Sequence, residues 1–511
     1  MNIEKIMDNL TNNSISFFAG EAIILEILEY HIKTQGKTIN TNFPIYHKSM
    51  KKRIQFDGYA PQGFDEFDGA TAIEIKFYQN SKSMKAKLKD ILQRFLTINN
   101  WEETPIIENL LIIVSTPLAE EDKKTLESAY DDLPFKYFIW DSSDLQNLFN
   151  KYPQLTNEIE TNPSKALVKQ LFKSGLNSSR DEWKVKRDEH LSNLKKCFND
   201  DNVVLFLGAG VSLEAGIPTW HNLMSNLMVS LINTVIKDDI FEGHVELSDI
   251  EKAALIKAIQ EKNGNSPLQL VRFIRNGLGD LFREELRKVL YQQCTNNSRI
   301  LEAITDLSVP LRHGIGIQGI VTYNFDDLIE VNFKNKKVIR FHPVFKEADL
   351  PSKNELGIYH VHGFLPRDPA EYDGLENKTK EKESLLVFSE EEYHQLMLDS
   401  YHWANLVQLN YFRERTCLFI GMSMTDPNVR RLLEIAKQKQ PDQDTCKHYI
   451  ILQRDSFDSI QADEGINEEN IKKFAMVHQK LKEAELSELG LNVIWIDNHA
   501  EIPNLLDELR K

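Results

Sequence analysis

The stretch VVLFLGAGVSLEAGIPTW, residues 203–220, joins an apolar run to a glycine-rich turn. The run Val203–Leu207 predicts a buried β-strand, and the turn predicts the start of a helix. Such a turn presents backbone N–H groups to an anion, and Gly208 and Gly210 let a ligand approach the backbone closely. The stretch therefore predicts a bound dinucleotide whose pyrophosphate lies against the helix dipole.

Length and composition indicate a soluble protein of about two to four domains. The chain has 511 residues, of which 41% are hydrophobic and 27% charged, and it contains no apolar run long enough for a membrane span. Four scattered cysteines without a CxxC pair, and no signal peptide at the N-terminus, favour a cytoplasmic location. The net charge of −16 excludes a general nucleic-acid coat, but basic residues at Lys85 and Lys89 keep DNA open as a local partner.

The order of predicted elements divides the chain into two α/β domains. Residues 1–155 predict a helix, a strand hairpin, a second helix and two further strands, and the polar residues 156–180 predict a linker. Residues 181–511 alternate apolar strands with helices around a mainly helical insertion at 221–310. This alternation predicts a doubly wound, Rossmann-like parallel sheet.

Polar or glycine residues follow three further strands of the second domain. Asn324 and Asp326 follow one strand, His362 follows another, and Gly421 follows a third. The carboxyl ends of the strands line one crevice in a doubly wound sheet, so we expect these residues to converge with Gly208.

Together these motifs resemble the sirtuin-like NAD-binding family. The matching residues are Gly208-Ala209-Gly210-Val211-Ser212 with Gly216-Ile217-Pro218, then Thr322-x-Asn324-x-Asp326, His362-Gly363 and Gly421-x-Ser423. The resemblance covers about residues 185–500 and implies NAD⁺ as the ligand.

Two departures from the family pattern bear on the reaction. The segment after His362 has no cysteine, where deacylating sirtuins carry a zinc ribbon, and Thr219-Trp220-His221 replaces the usual Asp-Phe-Arg. Both changes resemble the defence-associated branch, which hydrolyses NAD⁺ to ADP-ribose and nicotinamide. The resemblance implies an anti-phage effector that depletes NAD⁺, forms homo-oligomers and has a HerA-type ATPase partner.

Cleavage of the nicotinamide–ribose bond passes through an oxocarbenium-like state and needs a positioned water. Asn324 can position the ribose and the water, and His362 can act as a general base toward a ribose hydroxyl or a water because its ordinary pKa lies near neutrality. Asp326 is expected to orient the ribose or the Asn324 loop, and Trp220 to close over the nicotinamide end. The other expected cofactor-binding residues are Gly208, Ala209, Gly210, Ser212, Pro218, Thr322, Gly421, Ser423 and Asp426.

Simpler structural roles compete with some of these assignments. A histidine at a strand end is often a core residue, which is our interpretation of His360. Asn324 has an alternative role as the cap of the following helix, because asparagine is a preferred N-cap residue. Asp426 is expected to cap its own helix in addition to contacting the adenosine ribose.

A second group of polar residues lies on the predicted hairpin of the first domain. Glu74 and Lys76 share one strand face, and Asp57 on the paired strand can meet them. Two carboxylates can hold Mg²⁺ while the lysine orients a water near a phosphate. The pattern resembles the PD-(D/E)xK nuclease fold, particularly its Mrr-type branch; the competing interpretation is a solvated surface ion pair.

Three other functions compete with NAD⁺ hydrolysis. The first is an NAD-dependent protein deacylase, which the missing zinc cysteines disfavour. The second is a DNA nuclease whose sirtuin-like domain only senses a nucleotide. The third is a non-catalytic scaffold that binds a nucleotide and assembles partners.

Overall fold

The computed structural model describes residues 17–511 except for fourteen gaps. The gaps are 48–51, 78–80, 100, 102–103, 131, 178–181, 238–266 (apart from residues 248, 251 and 254), 297, 311–315, 338, 348, 376–377, 439–445 and 458–466. The chain forms two compact units, the first comprising 1–189 and 454–488 and the second comprising 190–453 and 489–511.

The elements are numbered here in chain order. The described strands are β1 (Asn40–His47), β2 (Lys52–Ala60), β3 (Gly63–Phe64), β4 (Phe67–Asp68), β5 (Thr71–Lys76), β6 (Asn109–Val114), β7 (Lys136–Trp140), β8 (Val203–Leu207), β9 (Ile317–Thr322), β10 (Phe341–Val344), β11 (Leu356–His360), β12 (Thr416–Ile420), β13 (His448–Gln453) and β14 (Leu491–Ile496). The described α-helices are α1 (Phe17–Thr34), α2 (Ser81–Asn99), α3 (Glu120–Glu127), α4 (Ser142–Lys151), α5 (Pro153–Thr161), α6 (Pro163–Asn177), α7 (Glu182–Asn199), α8 (Trp220–Lys237), α9 (Pro267–Leu278), α10 (Phe282–Tyr291), α11 (Arg299–Leu307), α12 (Leu328–Lys336), α13 (Lys378–Glu383), α14 (Glu390–Leu398), α15 (Trp403–Glu414), α16 (Pro427–Gln438), α17 (Glu468–Glu488) and α18 (Ile502–Arg510).

The first unit is built on a mixed sheet in the order β1-β2-β5-β6-β7. Strands β1, β2 and β5 pair antiparallel, whereas β5, β6 and β7 pair parallel, so the predicted hairpin of β2 and β5 is confirmed. Alternate side chains of β5 enter different cores. Ile73 and Ile75 pack with α1, and Ala72 packs on the opposite face with α2. Glu74 shares the face of Ala72, which directs its carboxylate toward α2.

The segment predicted as a linker is largely helical in the structure. Helices α5 and α6 occupy most of residues 156–180, and Ile159 and Ala166 are buried in the core that α1 forms. Helix α17, which the sequence assigned to the second domain, also belongs to the first unit. These helices are mostly polar, so the sequence pattern did not indicate the narrow apolar face through which they pack. Contacts with distant parts of the chain stabilise the helices.

The second unit contains the predicted parallel sheet, in the order β10-β11-β9-β8-β12-β13-β14 among the described strands. All described neighbours pair parallel, which confirms the prediction. Leu205 and Leu207 of β8 pack into the core with α11, and Phe206 stacks on Phe412 of α15 with ring centroids 4.9 Å apart. Helices therefore cover both faces of the sheet.

The order in which the chain adds strands to the sheet reverses at β8. The chain runs to one side through β9, β10 and β11, and then builds the other side with β12, β13 and β14. The carboxyl end of the strand at such a switch point is where open α/β sheets hold their ligands. The described parts of 221–310 are helical, and no described helix in the chain is both long and apolar enough to cross a membrane.

Candidate functional site

The glycine turn lies at the carboxyl end of β8, against the loop that follows β12. The Gly208 N–H donates to the Ile420 carbonyl and the Gly210 N–H donates to the Gly421 carbonyl, each at 3.0 Å. A Cβ atom at Gly208 would lie 2.6 Å from the Gly421 oxygen. The glycines are therefore required because two neighbouring strand-end loops approach each other closely.

This geometry corrects the predicted role of the turn. The turn continues as a short 3-10 segment, Ala209–Val211, and the following α-helix begins only at Trp220. The N–H groups of Gly208 and Gly210 point at β12, which is hydrogen-bonded to β8. Those two N–H groups therefore do not face a pyrophosphate, although the turn remains in the wall of the predicted crevice.

Asn324 is held at the end of β9 by hydrogen bonds of its side chain and its backbone, and its backbone carbonyl oxygen lies 3.3 Å from His360 Nδ1. Its side-chain amide donates to the Gly208 carbonyl and to Ser212 Oγ, both at 3.1 Å, and its backbone N–H donates to Thr322 Oγ1 at 3.1 Å. The buried Thr322 hydroxyl thus shapes the Asn324 turn. Because both amide hydrogens are used, the Oδ1 atom of Asn324 is oriented as the group that can accept a hydrogen bond from a ligand or a water.

Asp326 is a buried carboxyl group in the turn that follows β9. Its Oδ1 accepts the Leu328 N–H at 3.2 Å at the start of α12. Burial raises the pKa of Asp326 to about 6, although the Leu328 N–H and Ser212 lower it. Asp326 therefore caps this turn, and the alternative role of Asn324 as the cap is wrong.

The two histidines at the end of β11 have different environments. His360 is fully buried, its Nε2 lies 2.8 Å from Glu330 Oε1, and its ring packs on Phe364 with centroids 4.1 Å apart. The interpretation of His360 as a core residue is confirmed.

His362 lies two residues further on, against residues from three other parts of the chain. Its ring meets Tyr323 and Tyr393 edge-on, with centroids 4.8 and 5.3 Å away. Its Nε2 is buried, has no hydrogen-bond partner among the described residues, and lies 3.6 Å from Asp426 Oδ2. Burial lowers the pKa of His362 below its ordinary value, and Asp426 only partly opposes this effect. The imidazole is therefore neutral near pH 7, as a base must be.

Asp426 caps α16, as predicted. Its Oδ1 accepts the N–H groups of Asn428 and Val429, both at 2.9 Å. Its Oδ2 accepts a hydrogen bond from the Tyr393 hydroxyl at 2.8 Å. No contact with a ribose is needed to explain this residue.

The remaining predicted cofactor residues surround this centre less closely. Trp220 packs on Phe388 with ring centroids 5.0 Å apart, and Phe388 lies 5.8 Å from Phe325, the residue after Asn324. Ser423 Oγ lies 2.8 Å from the Thr425 hydroxyl. Ala209 is exposed at the rim of the turn, whereas Pro218 is half-buried before α8.

The polar residues of β2 and β5 also come together. Glu74 is fully buried, and its Oε1 contacts Lys76 Nζ at 3.0 Å and the Arg94 guanidinium at 2.7 Å. Burial raises the pKa of Asp57 to about 7, with the Glu74 charge adding to the effect. Burial by itself lowers the pKa of Lys76. The negative charges of Glu74 and Asp57 together have a larger effect in the opposite direction, so the pKa of Lys76 is raised. This arrangement excludes the solvated surface ion pair as an interpretation.

Sequence reasoning missed three residues of these sites. Arg94 of α2 pairs with Glu74, although the helix was expected only to present basic residues to DNA. Tyr323 and Tyr393 contact His362, and neither carries a motif of its own. The position of Tyr323 beside Asn324 was a usable signal, whereas nothing local distinguishes Tyr393. Of the basic pair Lys85 and Lys89, the first side chain lies outside the described residues and the second is exposed.

Comparisons with known proteins support a sirtuin-like interpretation of the region that holds this site. The SIR2-like domain family matches residues 318–474, which include Asn324, His362 and Asp426 but not the glycine turn. The chain is 22% identical over 331 residues to the NAD(+) hydrolase ThsA of Enterococcus faecium, an alignment that covers 63% of this chain and 58% of that protein. It is 24% identical over 315 residues to the NAD(+) hydrolase ThsA of Bacillus cereus (strain MSX-D12), covering 61% of this chain and 54% of that protein. The chain therefore contains a SIR2-like region and spans little more than half the length of these relatives.

Proposed function

We propose that the second unit hydrolyses NAD⁺ to ADP-ribose and nicotinamide. The observation that carries the proposal is the position of Asn324 and His362 at the carboxyl ends of the adjacent strands β9 and β11. The Asn324 amide is held by buried hydrogen bonds, and the His362 ring lies among buried aromatic side chains. The names of the two relatives, both called NAD(+) hydrolases, support the same reaction.

The reaction needs little covalent chemistry from the protein. The bond between C1′ of the ribose and the nicotinamide nitrogen breaks, and the electron pair leaves with neutral nicotinamide. Asn324 Oδ1 accepts a hydrogen bond from the attacking water, whose oxygen bonds to C1′. His362 takes the proton that this water loses and later releases it to solvent. Trp220 and its aromatic neighbours exclude bulk water from the nicotinamide end.

The test is nicotinamide release from NAD⁺ by the whole chain, alone and with DNA or partner proteins. We expect Asn324→Ala and His362→Ala each to lower turnover by about 100-fold or more, because each removes a group that acts on the water. His499→Ala is the control, since His499 is exposed in the same unit. Full activity of both site variants would refute the mechanism. Release of acetyl groups from an acetyl-lysine peptide would instead support a deacylase.

We further propose that the first unit is a PD-(D/E)xK-like module that senses or cuts DNA with Mg²⁺. No group of three or more potential metal ligands occurs among the described His, Cys, Asp and Glu side chains. The buried Glu74 Oε2 has no hydrogen-bond partner within the described residues, and burial raises the pKa of Asp57, with the nearby Glu74 charge adding to the effect. This pair fits an ion that keeps most of its waters, with Asp57 and Glu74 as its protein ligands. Lys76 would orient a water beside the phosphate.

The second proposal is tested separately from the first. Plasmid cleavage and DNA binding are measured with and without Mg²⁺ for wild type and Glu74→Gln. Loss of cleavage with retained NAD⁺ turnover supports a nuclease. Loss of function in Glu74→Gln but not in Asn324→Ala would favour a nuclease whose SIR2-like region only senses a nucleotide, and binding of ADP-ribose without turnover would favour a scaffold.

The biological setting that we propose is anti-phage defence by NAD⁺ depletion in the cytoplasm of a bacterium. Homo-oligomers and a HerA-type ATPase partner belong to this proposal through the sirtuin-like resemblance. Light scattering of the purified chain measures the oligomer, and co-purification with a HerA-type ATPase tests the partner. Phage infection of cells carrying Asn324→Ala, with NAD⁺ measured over time, tests the defence role.

A further inference from the structure

Helix α14 brings Tyr393 to the centre of the predicted NAD⁺ site. The Tyr393 ring meets His362 nearly perpendicularly, at 78°, and its hydroxyl donates to Asp426 Oδ2 at 2.8 Å. Tyr323 meets the imidazole at 88° on another side. The titratable side chains that the structure places against the imidazole are thus Tyr323, Tyr393 and Asp426. Of these, only Asp426 offers a negative charge to a ring nitrogen.

The Asp426 carboxylate is fixed by partners other than His362. Two backbone N–H groups at the start of α16 donate to its Oδ1, and Tyr393 donates to its Oδ2. A carboxylate at a helix N-terminus is stabilised in its charged form by the helix dipole. Its distance of 3.6 Å from His362 Nε2 is longer than a hydrogen bond, so its effect on the histidine is electrostatic.

The position of this charge selects between the two neutral forms of the imidazole. If the proton is on Nε2, the N–H is directed toward the Asp426 carboxylate and is attracted to it. If Nε2 instead carries the lone pair, that lone pair faces the negative carboxylate with no hydrogen between them. The Nε2 atom is buried and lies toward Asp426, which leaves Nδ1 as the ring nitrogen that can meet a ligand. We propose that Asp426, held in place by Tyr393, keeps the proton of His362 on Nε2 and leaves Nδ1 as the base.

The base step rests on the proposed NAD⁺ hydrolysis, whereas the proton position does not. In the reaction, Nδ1 takes the proton of the water that bonds to C1′, and nicotinamide leaves with the electrons of the broken bond. The imidazolium that results carries protons on both nitrogens, with its Nε2–H directed at Asp426. Asp426 and Tyr393 are positioning residues in this account, because they act through His362.

The kinetic test compares Asp426→Asn and Tyr393→Phe with wild type. Asparagine also caps helices, so Asp426→Asn retains the start of α16 while it removes the charge. We expect kcat to fall about 100-fold in Asp426→Asn, within the range for a misdirected base, and about tenfold in Tyr393→Phe. Tyr401→Phe is the matched control, because Tyr401 is 82% exposed, and it should equal wild type.

The pH dependence separates this role from a merely structural one. The Asp426 charge raises the pKa of His362 against the effect of burial. The acid limb of kcat/KM should therefore move to lower pH in Asp426→Asn and stay in place in Tyr393→Phe, which retains the charge. Unchanged kcat and an unmoved acid limb in Asp426→Asn would overturn the inference.

A second measurement does not depend on turnover. The ¹⁵N chemical shifts of histidine-labelled protein without substrate report which ring nitrogen of His362 carries the proton, with the signal assigned by its loss in His362→Gln. We expect Nε2–H in wild type and a mixture of forms in Asp426→Asn. An Nδ1–H form in wild type would overturn the inference. If wild type shows Nε2–H but never hydrolyses NAD⁺, the proposed function fails while the assignment of the proton stands.

Discussion

The buried pair of His360 and Glu330 provides a test of the distinction between the two histidines of β11. Both side chains are fully buried, and His360 Nε2 lies 2.8 Å from Glu330 Oε1. The other carboxylate oxygen, Oε2, has no hydrogen-bond partner among the described residues. His360→Ala therefore leaves the whole carboxylate buried without its partner.

The expected loss of stability follows from this geometry. Removal of one member of a buried, hydrogen-bonded pair of ionisable groups costs about 3–5 kcal/mol, because its partner stays buried and unpaired. At roughly 2 °C per kcal/mol for a unit of this size, the melting temperature of the second unit should fall by about 6–10 °C. A double variant with leucine at both positions removes both buried polar groups and should regain most of that loss.

The assay is thermal unfolding with parallel measurement of nicotinamide release. His342→Ala is the matched control, since His342 lies at the same 2.8 Å from Asp349 but both side chains are partly exposed. Such a pair contributes about 1 kcal/mol or less. His362→Ala should cause a large loss of turnover with a smaller loss of stability than His360→Ala. An equal effect of His360→Ala and His342→Ala on unfolding would refute the reasoning.

Other substitutions probe the glycine turn, the acidic pair and the aromatic wall. Gly421→Ala should lower the free energy of unfolding by about 1–3 kcal/mol in urea, because φ is +69° and the new Cβ would lie 2.7 Å from the Val211 nitrogen. Burial and Glu74 raise the pKa of Asp57 to about 7, so the folded protein holds the carboxyl proton more tightly than the unfolded chain does. The wild type should therefore lose stability as pH rises from about 4 to about 7. Asp57→Asn should remove that loss, and an identical pH profile would contradict it. Trp220→Ala should raise KM for NAD⁺ about three- to tenfold in initial-rate assays and lower the free energy of unfolding by about 1 kcal/mol or more, since the partly buried indole loses its packing on Phe388.

Local sequence patterns were sufficient to predict most of the sheet of the second unit. The apolar runs that became β8, β9, β11 and β12 are short, continuous and followed by glycine or polar residues, which is typical of buried parallel strands. The same patterns predicted that Asn324 would meet Gly208, and their amide–carbonyl hydrogen bond is 3.1 Å long. Period-two alternation likewise predicted that Glu74 and Lys76 would share a strand face.

Packing over long sequence distances decided the rest. The sequence by itself determined which residues end the strands, because strand periodicity and turn chemistry are local properties of the chain. Only the tertiary structure decided that the Gly208 and Gly210 amides bond to the β12 end, since that depends on which strand lies beside β8. It also decided that His360 meets Glu330 while His362 meets Tyr393 and Asp426, because these partners come from separate helices and loops whose approach no local pattern encodes.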